Sequence, residues 1–156
     1  MCTLELKKMT RDLCHELYKN WENDPSIYGD MSAFSPYVYR TESVDKYFDA
    51  KNIPSRVLFA IMLDGIPIGE LQLKYIDWLN AECTLSIHLQ NDAVKGKGYG
   101  TQAERLAVQY AFNELGMKTI HADTILKNTR SQHVLEKVGF QLVGEDDAFK
   151  YYRISH

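Results

Sequence analysis

The sequence predicts an α+β domain (mixed α/β) built on one central, largely antiparallel sheet. Three observations carry that expectation. Strand-like and helix-like segments follow one another in the order β-α-α-β-β-β-α-β-α-β-β, and three consecutive strands in the middle of such a chain favour antiparallel pairing. Asp64-Gly65, set between two β-rich runs, is a strong signal for a two-residue hairpin turn. The 156 residues are 45% hydrophobic and 25% charged, enough to fill one core and incompatible with a largely disordered chain. No repeat, low-complexity tract or linker interrupts them, so a single domain over residues 1–156 is expected.

The elements follow in order. Thr3–Lys8 alternates Leu4 and Leu6 with polar neighbours and reads as a short strand. Thr10 then caps a helix whose buried stripe is Leu13, Cys14, Leu17, Tyr18 and Trp21. Asn23–Tyr39 has loop composition but carries Tyr28, Met31, Phe34, Tyr37 and Tyr39. Aromatics there suit a lid or pocket wall, and equally a loop packed onto the core. Thr41 opens a second helix. Arg56–Leu63 and Ile66–Ile76 form the hairpin, and Cys83–Leu89 is the next strand. Thr101–Leu115 is the strongest helical segment, with Thr101 and Glu104 at capping-box spacing and Ala103, Leu106, Ala107, Tyr110 and Ala111 on its buried face. Thr119–Leu126 is a strand and Thr129–Val138 a helix stopped by Gly139. Phe140–Glu145 and Phe149–Ile154 form a closing hairpin.

Charge and cysteine usage narrow the function. Eighteen basic against 21 acidic residues leave a net charge of −3, which argues against a general nucleic-acid binder. The longest apolar run, Leu58–Leu63, is too short to span a bilayer, so no membrane partner is expected. Met1–Asp12 is charged and lacks an apolar core, so no secretory signal is expected either. Cys2, Cys14 and Cys83 are odd in number and scattered, and read as the reduced thiols of a cytoplasmic protein. No HExxH string, His/Cys cluster or Asp-rich loop suggests a metal.

The most informative stretch is Asp92–Thr101, DAVKGKGYGT, between a strand and a helix. Gly96, Gly98 and Gly100 free the backbone for close approach or positive φ. The helix behind them offers N–H groups and partial positive charge, and Lys95 and Lys97 add formal charge. A plain flexible connection would need one glycine, not three at alternate positions. The Walker string GxxxxGK[ST] is absent, and GxGxG is not the dinucleotide spacing GxGxxG.

Those residues resemble the GNAT superfamily of acyl-CoA N-acyltransferases. Lys95-Gly96-Lys97-Gly98-Tyr99-Gly100 is similar to the family's phosphate-binding signature, with Lys95 where the family carries Gln or Arg. Asn128-Thr129-Arg130-Ser131 and Leu135-Glu136-Lys137-Val138-Gly139-Phe140 are similar to its N-x-x-S and EK-x-GF segment. The Asn-x-x-Ser form looks most like the branch of ribosomal-protein N-terminal and spermidine acetyltransferases. The close resemblance covers about residues 82–145.

The resemblance implies a twisted sheet with about four flanking helices, splayed where acetyl-CoA, the co-substrate, lies. Ile87–Leu89, including His88, would offer backbone groups to the pantetheine arm. Gly96, Gly98, Gly100 and Thr101 would bind the pyrophosphate, Asn128 the arm near its thiol, and Arg130 the 3′-phosphate or solvent. Many members place a tyrosine seven residues after the asparagine to protonate the leaving thiolate. Here that residue is Leu135, and Ser131 is the implied replacement, with Tyr151 or Tyr152 as alternatives.

An acceptor amine of ordinary pKa about 10.4 must also lose a proton, a cost of about 4–5 kcal/mol at pH 7. Glu70, which shares a strand face with Gln72 and Lys74, and His88, which shares one with Ser86 and Thr84, are the candidate bases, with Glu70 first. Half-exposed faces or a structural histidine would also explain them. The expected activity is acetyl transfer from acetyl-CoA to a small amine or a peptide N-terminus by direct attack, in a monomer or homodimer. The alternative is a non-catalytic acyl-CoA-binding or interaction module.

Overall fold

The computed structural model describes residues 3–23 and 34–156, so Cys2, Tyr28 and Met31 of the expectations above lie outside the described residues. Along the chain run β1 (Leu4–Lys8), α1 (Arg11–Lys19), α2 (Thr41–Lys51), β2 (Val57–Leu63), β3 (Ile66–Asp77) and β4 (Glu82–Leu89). After a 3₁₀ turn at Asp92–Val94 come α3 (Tyr99–Asn113), β5 (Thr119–Ile125), α4 (Thr129–Val138), β6 (Gln141–Glu145) and β7 (Phe149–Ser155). The order is the expected one. Among the described residues the strands form one sheet, β1-β2-β3-β4-β5-β7-β6, in which the β4–β5 pairing is parallel and the other pairings are antiparallel.

Local chemistry accounts for the boundaries. Thr10 Oγ1 accepts the Leu13 N–H at 3.1 Å and starts α1. Asp64 (φ 51°) and Gly65 (φ 83°) both take the left-handed conformation of the tight turn that joins β2 to β3. Among the described residues, no helix is long and apolar enough to cross a membrane.

Two apolar layers cover the sheet. On one face α1 and α2 pack Cys14, Leu17 and Val44 onto Leu58, Ala60 and Met62 of β2. On the other, α3 and α4 pack Ala103, Ala107, Ala111 and Leu135 onto Phe59, Ile61, Leu71 and Leu73. Alanines along α3 let the helix lie close to the strands, and each fully buried leucine contributes about 1.5–3 kcal/mol.

Helix α3 differs from its expected form in two ways. It begins at Tyr99, with Gly98 as N-cap, so Thr101 lies inside the first turn and forms no capping box with Glu104. Its buried face carries Glu104 and Val108, whereas Leu106 is 38% exposed. The ladder Ala103-Ala107-Ala111 is flanked on one side by Gly100, Glu104 and Val108. That flank turns toward α4, as a Cβ on Gly100 would meet Val134 Cγ1 at 4.0 Å.

Gly69 carries the closest strand approach. A Cβ there would stand 2.6 Å from the His88 carbonyl oxygen and 3.2 Å from Ile61 Cδ1. Gly69→Ala is therefore expected to force β3 and β4 apart and lower stability by about 1–3 kcal/mol. Denaturant unfolding checks this, and an unchanged midpoint would show that the strands relax freely.

Candidate active site

Strands β4 and β5 pair only where Glu82–Thr84 face Thr119–His121. Beyond that point each is held by its outer neighbour alone: β4 by β3 as far as Leu89, and β5 by β7 as far as Ile125. The two strands diverge, and a cavity of about 350 Å³ fills the gap. Alternation along β4 sends Leu85, Ile87 and Leu89 to the α3/α4 side and Ser86 and His88 to the α1/α2 side. Both sets line the cavity, so it connects the two faces of the sheet.

Its α3/α4 half is built for an anion followed by a slender chain. Gly98 has φ +84°, a conformation costly for any side chain, and it leaves the first turn of the 15-residue α3 without a side-chain cap. That terminus attracts negative charge. Lys95 and Arg130 line the cavity close by, and Lys95 Nζ lies 3.4 Å from Asp92 Oδ1. Of the expected loop residues, Lys95 and Gly100 are on the cavity wall. Gly96, Lys97, Gly98, Tyr99 and Thr101 form the adjoining loop and first turn. Asn128 caps α4 by accepting the Ser131 N–H at 3.1 Å, and both residues line the cavity with Leu135.

The α1/α2 half is polar. Trp21, Glu22 and Asn23 reach it because the Glu22 N–H donates to the Gln90 carbonyl at the end of β4. Asp123 of β5 and Lys74 of β3 complete that side. His88 is on the wall and its side chain is exposed toward the cavity. Crowding by surrounding protein atoms still lowers its imidazolium pKa from the ordinary value, the Glu70 carboxylate opposes this, and Lys74 and Lys95 add to it.

Glu70 stands directly opposite His88 in the β3–β4 register but does not line the cavity. It is 2% exposed, accepts from Tyr47 Oη and from Gln72 Nε2 at 3.2 Å, and has Oε2 buried with no hydrogen-bond partner among the described residues. Burial, reinforced by this carboxylate, pushes the Tyr18 and Tyr47 hydroxyls far up, so both stay protonated. Tyr151 donates to Asp146 at 2.6 Å and Tyr152 is buried, and neither lines the cavity.

Sequence reasoning passed over Asp123 and Glu22 and read Glu104 as a capping-box residue, yet all three are on the wall. Asp123 had a usable signal, a charge on the alternation of β5.

A family model described as an acetyltransferase (GNAT) domain matches residues 3–141. The chain belongs to the GNAT acetyltransferase family. The probable N-acetyltransferase YjcK of Bacillus subtilis is 32% identical over 123 residues, 76% of this chain and 61% of that protein. Spermidine N(1)-acetyltransferase of Escherichia coli is 27% identical over 110 residues, 70% of this chain and 59% of that protein. The GNAT chain thus spans about 60% of the length of these curated relatives. Among solved structures, spermidine N-acetyltransferase from Vibrio cholerae in complex with CoA and spermine superposes with a TM-score of 0.80. It is 18% identical, with 97% of this chain and 95% of that one covered, and shares the fold.

Proposed function

We propose that the protein transfers an acetyl group from acetyl-CoA to a primary amine within one ternary complex, through one domain over residues 1–156. The cavity carries this reading: it lies where β4 and β5 diverge and is lined by residues from both faces of the sheet, one face for the donor and the other for the acceptor. The pyrophosphate would rest on the α3 terminus at Gly96–Thr101, with Lys95 and Lys97 beside it and Arg130 toward the 3′-phosphate. The arm would run inward along Ile87–Leu89 and past Asn128. Bound there, acetyl-CoA supplies an activated acetyl group: the amine nitrogen bonds to the thioester carbonyl carbon, the C–S bond breaks, and the thiol departs.

The residues of the other half would prepare the amine. His88 takes its proton, supported by a depressed imidazole pKa that keeps the ring neutral near pH 7, and Glu70 behind it favours the imidazolium that forms. Glu22 and Asp123 favour a cationic acceptor, most of all a small amine with more than one positive charge. A cytoplasmic setting suits the buried free thiols Cys14 and Cys83. A monomer or homodimer is proposed, and light scattering on the purified protein would replace it if a larger assembly appeared.

Thiol release from acetyl-CoA with a panel of mono-, di- and polyamines tests the activity. CoA binding without turnover on any amine would establish the binding-module alternative instead. Ser131 is proposed to donate its hydroxyl proton to the leaving thiolate. Its N–H, not its hydroxyl, holds the α4 cap, so Ser131→Ala should leave the helix intact. It is expected to lower kcat by up to about 10²-fold with little change in KM for acetyl-CoA. Wild-type turnover would leave water as the donor.

A further inference from the structure

Glu104 is a carboxyl group that the fold alone does not explain. It lies in the second turn of α3, is 1% exposed, and stands on the cavity wall. Its Oε1 is buried and has no hydrogen-bond partner among the described residues. Leaving such a group unsatisfied costs stability, and an apolar side chain would pack there at lower cost. Burial pushes the carboxyl up to about 8. At neutral pH it is therefore mostly protonated, with one O–H to donate and a carbonyl to accept.

Its position says what could satisfy it. Gly100 and Glu104 occupy one row of α3, both on the cavity wall, about 6 Å apart along the helix axis. That row starts at the helix terminus assigned above to the pyrophosphate and continues along α3 on a cavity wall that Ile87 of β4 and Ala122 of β5 also line. An acyl-CoA arm followed inward from its pyrophosphate presents a hydroxyl, two amides and then the thioester. At the depth of Glu104 its polar groups are amides. Such an amide is trans, with N–H and C=O on opposite sides, so a neutral carboxyl takes one of them: its O–H donates to the amide C=O, or its C=O accepts the amide N–H.

We propose that the Glu104 carboxyl hydrogen-bonds an amide of the pantetheine arm, making it a residue that recognises the acyl donor. The inference rests on the proposed CoA site. It explains why a buried acid is kept on an otherwise apolar helix face: the group is unsatisfied without the donor and satisfied with it.

Calorimetric titration of CoA into the wild type, Glu104→Gln and Glu104→Leu tests it, together with thermal melts of the free proteins. Glu104→Leu is expected to melt higher than wild type without ligand and yet bind CoA about tenfold more weakly. Glu104→Gln, which keeps a donor and an acceptor, should retain most of the affinity. In the wild type, the Glu104 carboxyl ¹³C resonance should shift on saturation with CoA, a readout that needs no variant to fold. Undiminished CoA affinity in Glu104→Leu, or an unmoved resonance, overturns the proposal and leaves the CoA site standing. A wild type that does not bind CoA overturns the site itself.

Discussion

Gly98→Asp is expected to remove CoA binding, weakening it by more than about 100-fold, while the protein stays folded. A Cβ at position 98 meets nothing within 4 Å among the described residues, so the site has room for the start of a side chain. Two effects remain. The left-handed conformation at φ +84° costs a side chain about 1–2 kcal/mol, which the domain can absorb. The new carboxylate sits at the terminus of α3, where the pyrophosphate would bind. At about 5 Å and an effective dielectric of about 20, each pair of like charges repels by about 3 kcal/mol. A single such pair is worth more than a hundredfold in affinity. Gly98→Ala separates the two effects, since it carries the strain without the charge. It should lose about 1–2 kcal/mol of stability and keep its affinity within a few fold. Titration of CoA into both variants decides the matter, and wild-type affinity in Gly98→Asp would move the phosphate site elsewhere.

The fold was legible because its signals are local. Thr10, Asp64-Gly65 and Gly139 each act within a few residues, and the alternation in β3 and β4 survives any tertiary arrangement. The cavity was legible only through the glycine loop and the Asn128–Ser131 segment, since divergence of β4 from β5 depends on how β3 and β7 hold their outer edges. Depth was not legible at all. Glu70 and His88 are equivalent by alternation and face each other across one register pair, yet His88 lines the cavity and Glu70 is sealed beneath Tyr47. Glu104 was misread for a related reason. The spacing from Thr101 fits a capping box, but the box needs Thr101 at the N-cap, and left-handed Gly98 starts the helix before it.

The relation between those two residues yields the second large effect. With His88 as the base and Glu70 behind it, His88→Gln should lower kcat/KM for the amine by about 10²–10⁴ at neutral pH. Glu70→Gln should cost less, about tenfold, because it removes a charge that stabilises the imidazolium and not the group that takes the proton. The pH profiles separate these roles. The His88 pKa is lowered from its ordinary 6.5 by crowding protein atoms and by Lys74 and Lys95, so the wild type should hold its rate to below that pH and then lose it as the ring becomes protonated. In Glu70→Gln the opposing charge is gone, the pKa falls further, and the acid limb should move to lower pH. In His88→Gln that limb should vanish, and rate should partly recover at high pH, where the amine arrives already deprotonated. Each profile is measured by thiol release across the pH range with one saturating donor. If Glu70→Gln instead lost the acid limb and matched His88→Gln in rate, the buried carboxylate would be the base, working through a water, and His88 would serve only to position it.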